Sequence, residues 1–368
     1  MASRSRTLAL IAGGVAAGTA LLNTARVVAE RATVRRLHDE PDPIAGTAFG
    51  ELPSDRHYTV TATDGTPLHV EEVGDADAPV TVVFAHGYTL EMGCFHYQRL
   101  GLSEIDDPRM RLVFYDQRSH GRSGRAARDD CTIDQLGSDL EQIVEAATKK
   151  DQPVIVVGHS MGGMSIMALA DRRPELFGAR IAGVVLMSTS AGELLAAKRV
   201  DLSTTIAQRL VPMIARTAQF APTWVERSRR MIGDTVWLMI RKYSFGDAGA
   251  PASLADYMDE MISATPLEVI ADFYPALAGH DKLQALPAIA KTKALVICGD
   301  EDRMTPIDHS ELIARELPGA DLFVVPGAGH MAMMEKPELC NDQLLGFIRR
   351  VTDPVEEDGK RPKRKRSA

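Results

Sequence analysis

The residues with the types and spacing for covalent chemistry gather around one serine. Gly158-His159-Ser160-Met161-Gly162 follows the apolar run from Pro153 to Val157 and precedes a helical pattern. A G-x-S-x-G pentapeptide between a strand and a helix holds its serine in a sharp, strained turn that presents the hydroxyl, and the glycines let neighbouring backbone pass close by. The helix that follows aims free N–H groups and the positive end of its dipole at the same point. A serine hydroxyl is a weak nucleophile until a base takes its proton. His330 is the candidate base: it closes Gly327-Ala-Gly-His330, directly after the apolar run from Asp321 to Val325. The base in turn needs a carboxylate to hold its tautomer and stabilise the imidazolium. Asp300, Glu301 and Asp302 follow the run from Ala294 to Cys298, and spacing alone does not separate them.

Attack on a carbonyl creates an oxyanion, which needs hydrogen-bond donors. The backbone N–H of Met161 is one candidate. The other lies in His86-Gly87-Tyr88, after the run from Val80 to Ala85, with the Tyr88 N–H first and that of Thr89 as runner-up. His86 is read as shaping this turn, not as moving a proton. His280, beside Asp281, is a candidate for touching substrate, weighed against a contact between lid and core. Met161, Met164, Met331, Met333 and Met334 either hint at an apolar acyl group or are ordinary core methionines.

These groups need elements to carry them. His57 to Thr63 and Pro67 to Val73 alternate apolar and polar residues around Asp64-Gly65, the pattern of a hairpin. Short apolar runs then recur at 80–85, 111–115, 154–157, 184–187, 294–298 and 322–325, with helical stretches between most of them. Continuous apolar runs suit strands buried on both faces, and strand–helix alternation predicts an α/β fold: a doubly wound, mostly parallel sheet. The alternation breaks between Ser190 and about Leu286, where only helical patterns occur, so a helical cap is expected before the acid-bearing strand. The expected organisation is an N-terminal apolar segment (1–40), a first core part (55–192), a cap (193–286), a second core part (287–353) and a disordered basic tail (354–368).

Composition sets the outer limits. The chain has 368 residues, 45% of them hydrophobic and 25% charged, close to the globular averages of about 45–50% and about 25%. A net charge of -8 gives no footprint of a nucleic-acid binder. The four cysteines form no CxxC pair and are too widely spaced for a disulfide scaffold, which fits a reducing compartment. No GxGxxG after a strand, P-loop or HExxH is present, so no cofactor and no metal are expected. Residues 7–25 carry no charge and lie between Arg4 and Arg6 on one side and Arg26, Arg31, Arg35 and Arg36 on the other. This segment is read as a membrane anchor, against a cleaved signal peptide or a plain helix. The Arg excess downstream, with the basic run from Lys360 to Arg366, places the body of the chain on the cytoplasmic side of a membrane surface.

From about His57 to Arg350 the chain resembles the α/β-hydrolase superfamily, in its lid-bearing esterase and lipase branch. The resemblance rests on His86-Gly87, Asp116-Gln-Arg-Ser-His-Gly-Arg-Ser123, the Gly158 to Gly162 elbow, Gly299-Asp-Glu-Asp302 and Gly329-His330. Within that branch it is similar to an actinobacterial group that carries a short N-terminal apolar segment. The resemblance selects Asp302 as the acid and makes Asp116 to Ser123 a structural turn tied by Asp116 and Arg118. It leaves the role of His120 open. It implies a serine hydrolase acting on a small-molecule acyl ester or thioester. The alternatives are an acyltransferase or carbon–carbon bond hydrolase with the same trio, or a non-catalytic binding protein on the same fold.

Overall fold

The computed structural model describes residues 26–52, 54–149, 152–192, 233–246 and 249–353. Its centre is an eight-stranded sheet in the order β1-β2-β4-β3-β5-β6-β7-β8. The strands are β1 (Arg56–Thr61), β2 (Pro67–Val73), β3 (Val80–Ala85), β4 (Met110–Tyr115), β5 (Val154–His159), β6 (Ile181–Met187), β7 (Lys293–Gly299) and β8 (Asp321–Val325). The hairpin of β1 and β2 and the pairing of β2 with β4 are antiparallel; every other pairing is parallel. The expected doubly wound sheet, with a hairpin turning at Asp64-Gly65, is what forms.

Alternate residues of the strands feed two cores. Val82, Phe84, Leu112, Phe114, Ile155 and Val157 pack into one; Val83, Ala85, Val113, Tyr115, Val154 and Val156 pack into the other. Both faces are covered, which is why the runs read as continuously apolar. The described helices are α1 (26–38), α2 (His96–Ser103), α3 (Ile133–Ala147), α4 (Met161–Arg172), α5 (Gly233–Ser244), α6 (Ala252–Ala264), α7 (Leu267–Ala278), α8 (Leu286–Ile289), α9 (Ile307–Glu316), α10 (Ala332–Glu335) and α11 (Pro337–Thr352). Thr132 caps α3 by accepting the Gln135 N–H.

Helices α5 to α7 belong to the expected cap. Residues 193–232 of that cap, the apolar segment 7–25 and the basic tail lie outside the described residues. Among the described residues, no helix is long and apolar enough to cross a membrane. Residues 26–50 lie against the cap helices instead of standing apart. The His38 ring sits 5.1 Å from Trp237, Phe49 stacks on Tyr257 at 4.8 Å, and the Ser253 N–H donates to Asp42 at 2.8 Å. All four cysteines are buried free thiols.

The turn after β4 is fastened by buried charge. Arg118, whose side chain is fully buried, donates to both oxygens of Asp139 on α3 at 2.6 and 2.7 Å and to Asp64 in the hairpin turn at 2.7 Å. Asp116 accepts the N–H groups of Met92 and Arg122 at 2.9 and 2.8 Å. Asp139→Ala leaves a buried guanidinium with half its partners. The expected loss is about 3–5 kcal/mol of folding stability, read from urea denaturation.

Candidate active site

The parallel strands all end on one edge of the sheet, and the candidate residues follow those ends: His86 after β3, Ser160 after β5, Asp302 after β7 and His330 after β8. Strand β3 pairs with β4 on one side and β5 on the other, so the chain winds in opposite directions from this point. Such a switch point opens a crevice at the carboxyl ends of the strands.

Ser160 has φ 52° and ψ -116°, an uncommon conformation for a residue with a side chain. It is held there from both directions. Its N–H donates to the Met187 carbonyl at 2.9 Å, and its carbonyl accepts from the Thr189 hydroxyl at 2.7 Å. Gly162 is required because a Cβ would collide with the backbone of Ala85. Met161 is the first residue of α4, so its N–H has no partner within the helix.

Of the three clustered acids, it is Asp302 that meets the histidine. His330 Nδ1 lies 2.9 Å from Asp302 Oδ2, and both residues are buried. Three further donors hold the carboxylate: the N–H groups of Met304 and Thr305 at 2.8 and 2.9 Å on Oδ1, and the Thr305 hydroxyl at 2.8 Å on Oδ2. Burial raises the proton affinity of Asp302, but His330 and these donors outweigh it and hold the carboxyl below its usual range. Asp300 instead accepts the Gly327 N–H at 2.7 Å. An imidazole anchored through Nδ1 keeps Nε2 as the atom that can take a proton from a hydroxyl.

Buried histidines shape the surroundings. His159 donates from Nε2 to the His330 carbonyl at 3.1 Å, and the two rings are 4.9 Å apart. His86 donates from Nδ1 to the Gly87 carbonyl and accepts the Gln117 N–H at Nε2, each at 2.8 Å, in keeping with a shaping role. His120 donates from Nδ1 to the Arg118 carbonyl at 2.9 Å and accepts the Thr89 N–H at 3.3 Å. The Thr89 N–H is therefore committed, which leaves Tyr88 as the better oxyanion donor in this loop. The Tyr88 hydroxyl donates to the Ile270 carbonyl on α7.

His280 makes the contact between lid and core: its Nε2 donates to the Ser190 carbonyl at 3.0 Å, and it is buried. Met161 and Met164 pack with Val269, Phe273 and Leu277 of α7, while Met331, Met333 and Met334 lie in the core beneath α5 and α6. Sequence reasoning did not single out His159, Thr305 or Glu335. Thr305 had a signal in its place three residues after an aspartate and just before a helix, the setting of a side chain that bonds locally. His159 occupies a variable position of its pentapeptide and had none. Glu335 accepts the Gly329 N–H at 2.7 Å. Burial pushes its carboxyl up to about 7, against the backbone donors that favour the charged form.

Comparison with known proteins places the chain. Residues 80–337 match the model of the alpha/beta hydrolase fold, and the chain belongs to that family. It is 26% identical over 282 residues to the sn-1-specific diacylglycerol lipase ABHD11 of Mus musculus, covering 75% of this chain and 82% of the relative. It is also 26% identical over 297 residues to the monoacylglycerol lipase of Mycolicibacterium smegmatis, covering 74% and 89%. Among solved structures, a thermophilic esterase from Thermogutta terrifontis superposes with a TM-score of 0.63 at 24% identity, over 81% of this chain and 100% of that one. These three relatives are named as lipases or an esterase, which supports a hydrolase of this fold.

Burial lowers the proton affinity of four histidines, His86 and His280 to about 4 and His120 and His159 to about 3. Each is neutral in the folded chain where an unfolded chain, near 6.5, would already bind a proton. Their contribution to stability is complete above pH 6.5 and is lost as the pH falls, toward about 4 for His86 and His280 and about 3 for His120 and His159, by up to about 1.4 kcal/mol per pH unit for each. The expected outcome is a steep fall of Tm across that window in thermal melts at constant ionic strength.

Proposed function

We propose that the chain is a serine hydrolase that cleaves a carboxylic ester or thioester of an apolar acyl group through an acyl-enzyme on Ser160. The observation that carries this reading is the buried hydrogen bond of 2.9 Å between His330 Nδ1 and Asp302 Oδ2, set, like the strained Ser160, at the carboxyl ends of parallel strands. In the first half-reaction the Ser160 hydroxyl gives its proton to His330 Nε2 and its oxygen attacks the carbonyl carbon. The N–H groups of Met161 and Tyr88 receive the oxyanion. His330 passes the proton to the leaving alcohol or thiol, leaving an ester on Ser160. Water, deprotonated by the same imidazole, releases the acid and restores the hydroxyl. The apolar side chains of α7 packed on α4, and the lipases among the similar proteins, support an apolar acyl group.

Ser160→Ala is expected to abolish turnover of p-nitrophenyl esters with the fold intact, a loss on the order of 10⁶ in kcat. Asp302→Asn should cost roughly 10⁴, because the amide presents the wrong partner to His330. Asp300→Asn should cost far less, and the reverse ranking would move the acid to Asp300. A p-nitrophenyl ester series of increasing chain length, with and without acceptor alcohol, reads the acyl preference and separates hydrolysis from transfer. The membrane reading is tested by fractionating cells that express the full chain. Recovery in the membrane with the catalytic part protected from external protease is expected, whereas a soluble extracellular protein starting after about residue 20 would overturn it.

A further inference from the structure

Glu335 ends α10, close after His330 in sequence, and its two oxygens face in two directions. Oε1 accepts the N–H of Gly329, the residue before His330, at 2.7 Å. Oε2 accepts the N–H of Gly246, just beyond cap helix α5, at 2.8 Å. On the other side of His330, the Met331 N–H donates to the Ser244 carbonyl at 3.0 Å. The acid loop reaches the same stretch: Arg303, next to Asp302, donates to the carbonyls of Lys242 and Phe245 at 2.6 and 3.2 Å. The stretch 242–246 is thus bonded to the loop of the base and the loop of the acid.

The fit leaves no room for slack. A Cβ on Gly246 would collide with the Gly327 carbonyl and lie 3.0 Å from Glu301 Oε2. A Cβ on Gly329 would lie 2.5 Å from the Phe245 carbonyl carbon. Only an acceptor with two oxygens can take both N–H groups across this contact, since a glutamine brings one oxygen and turns two donors toward the other N–H. Keeping a carboxylate in a partly buried place costs free energy, yet it bonds more strongly than a neutral acceptor.

We propose that Glu335 is a positioning residue that fastens the cap stretch 242–246 to the loop of His330, so that the approach of the imidazole to Ser160 depends on how the cap is seated. This rests on reading His330 as the base. Glu335 touches neither substrate nor the reacting atoms; it acts through the Gly329 backbone. The cap then does more than enclose a substrate: its seating is a condition for competence of the base.

The test compares Glu335→Gln and Gly246→Ala in the full chain with Ser160→Ala and His330→Ala as controls. Two quantities are measured: kcat and KM on a p-nitrophenyl ester, and the rate at which a small fluorophosphonate labels Ser160. The small probe does not depend on a fitted cap pocket, so its rate reports the serine and its base. Circular dichroism and thermal melts verify folding. Both test variants are expected to lower kcat and labelling rate together, by about 10- to 100-fold, the scale of an ångström's misplacement. For Glu335→Gln, KM should stay near the wild-type value. Folded Glu335→Gln and Gly246→Ala that label at the wild-type rate, while His330→Ala does not label, would overturn the proposal and leave the hydrolase reading standing. Wild-type labelling of His330→Ala would instead overturn the reading on which it rests. If Glu335→Gln does not fold, Gly246→Ala decides, because it disturbs the same contact from the cap.

Discussion

A parallel sheet covered on both faces has one kind of place left for polar chemistry: the loops at its strand ends. Side chains from alternate positions of β3 to β6 disappear into two apolar cores, and Arg111 on β4 is buried in an ion pair with Glu72. Ser160, Asp302, His330 and the Tyr88 loop all emerge at the carboxyl ends because the sheet offers nowhere else where backbone donors, a helix terminus and water meet. The same constraint accounts for the tight glycines. Segments that converge from four strands must pass one another at backbone distance, and at Gly162 beside Ala85 and Gly299 beside Ala328 a Cβ would collide with a carbonyl oxygen.

Buried imidazoles solve the problem this crowding creates. A loop held at a strand end has N–H and C=O groups with no sheet or helix partner, and each must be satisfied. A neutral histidine is well suited, since it donates at one nitrogen and accepts at the other. His86 and His120 each bridge an N–H and a C=O in this way, and His159 bonds the carbonyl of His330 itself. Burial keeps them uncharged, so they hold geometry without competing for the proton that the proposed reaction routes through His330.

The sheet was legible in the sequence because short apolar runs bounded by turn residues suit buried strands and little else. The elbow was legible because its glycines flank a serine between a strand and a helix. The choice among Asp300, Glu301 and Asp302 was not legible from spacing. It depends on the direction each side chain leaves a turn, which Met304, Thr305 and Gly327 decide through hydrogen bonds. The supporting histidines were invisible for a related reason. A histidine looks the same in sequence whether it titrates at a surface or bridges two backbone groups in a core. The arm of residues 26–50 that packs on the cap was hidden too, because a half-buried arm has the composition of a linker: among its described residues the apolar contacts with the core beneath it are Val34, Leu37, Ile44 and Phe49.

That arm changes where the folded unit begins. Trp237 donates from its indole to Asp256 at 2.7 Å while His38 covers its ring, and Phe49 lies flat on Tyr257. The Thr235 hydroxyl of α5 donates to Glu30 of the arm, and the arm's Gly50 N–H donates to His96 on α2. A fragment cut at β1, where the sheet starts, would therefore bare Trp237 on α5 and Tyr257 on α6, apolar surface of the kind that drives self-association. The first strand is a boundary of topology, whereas the packed layer extends to described residues well before it.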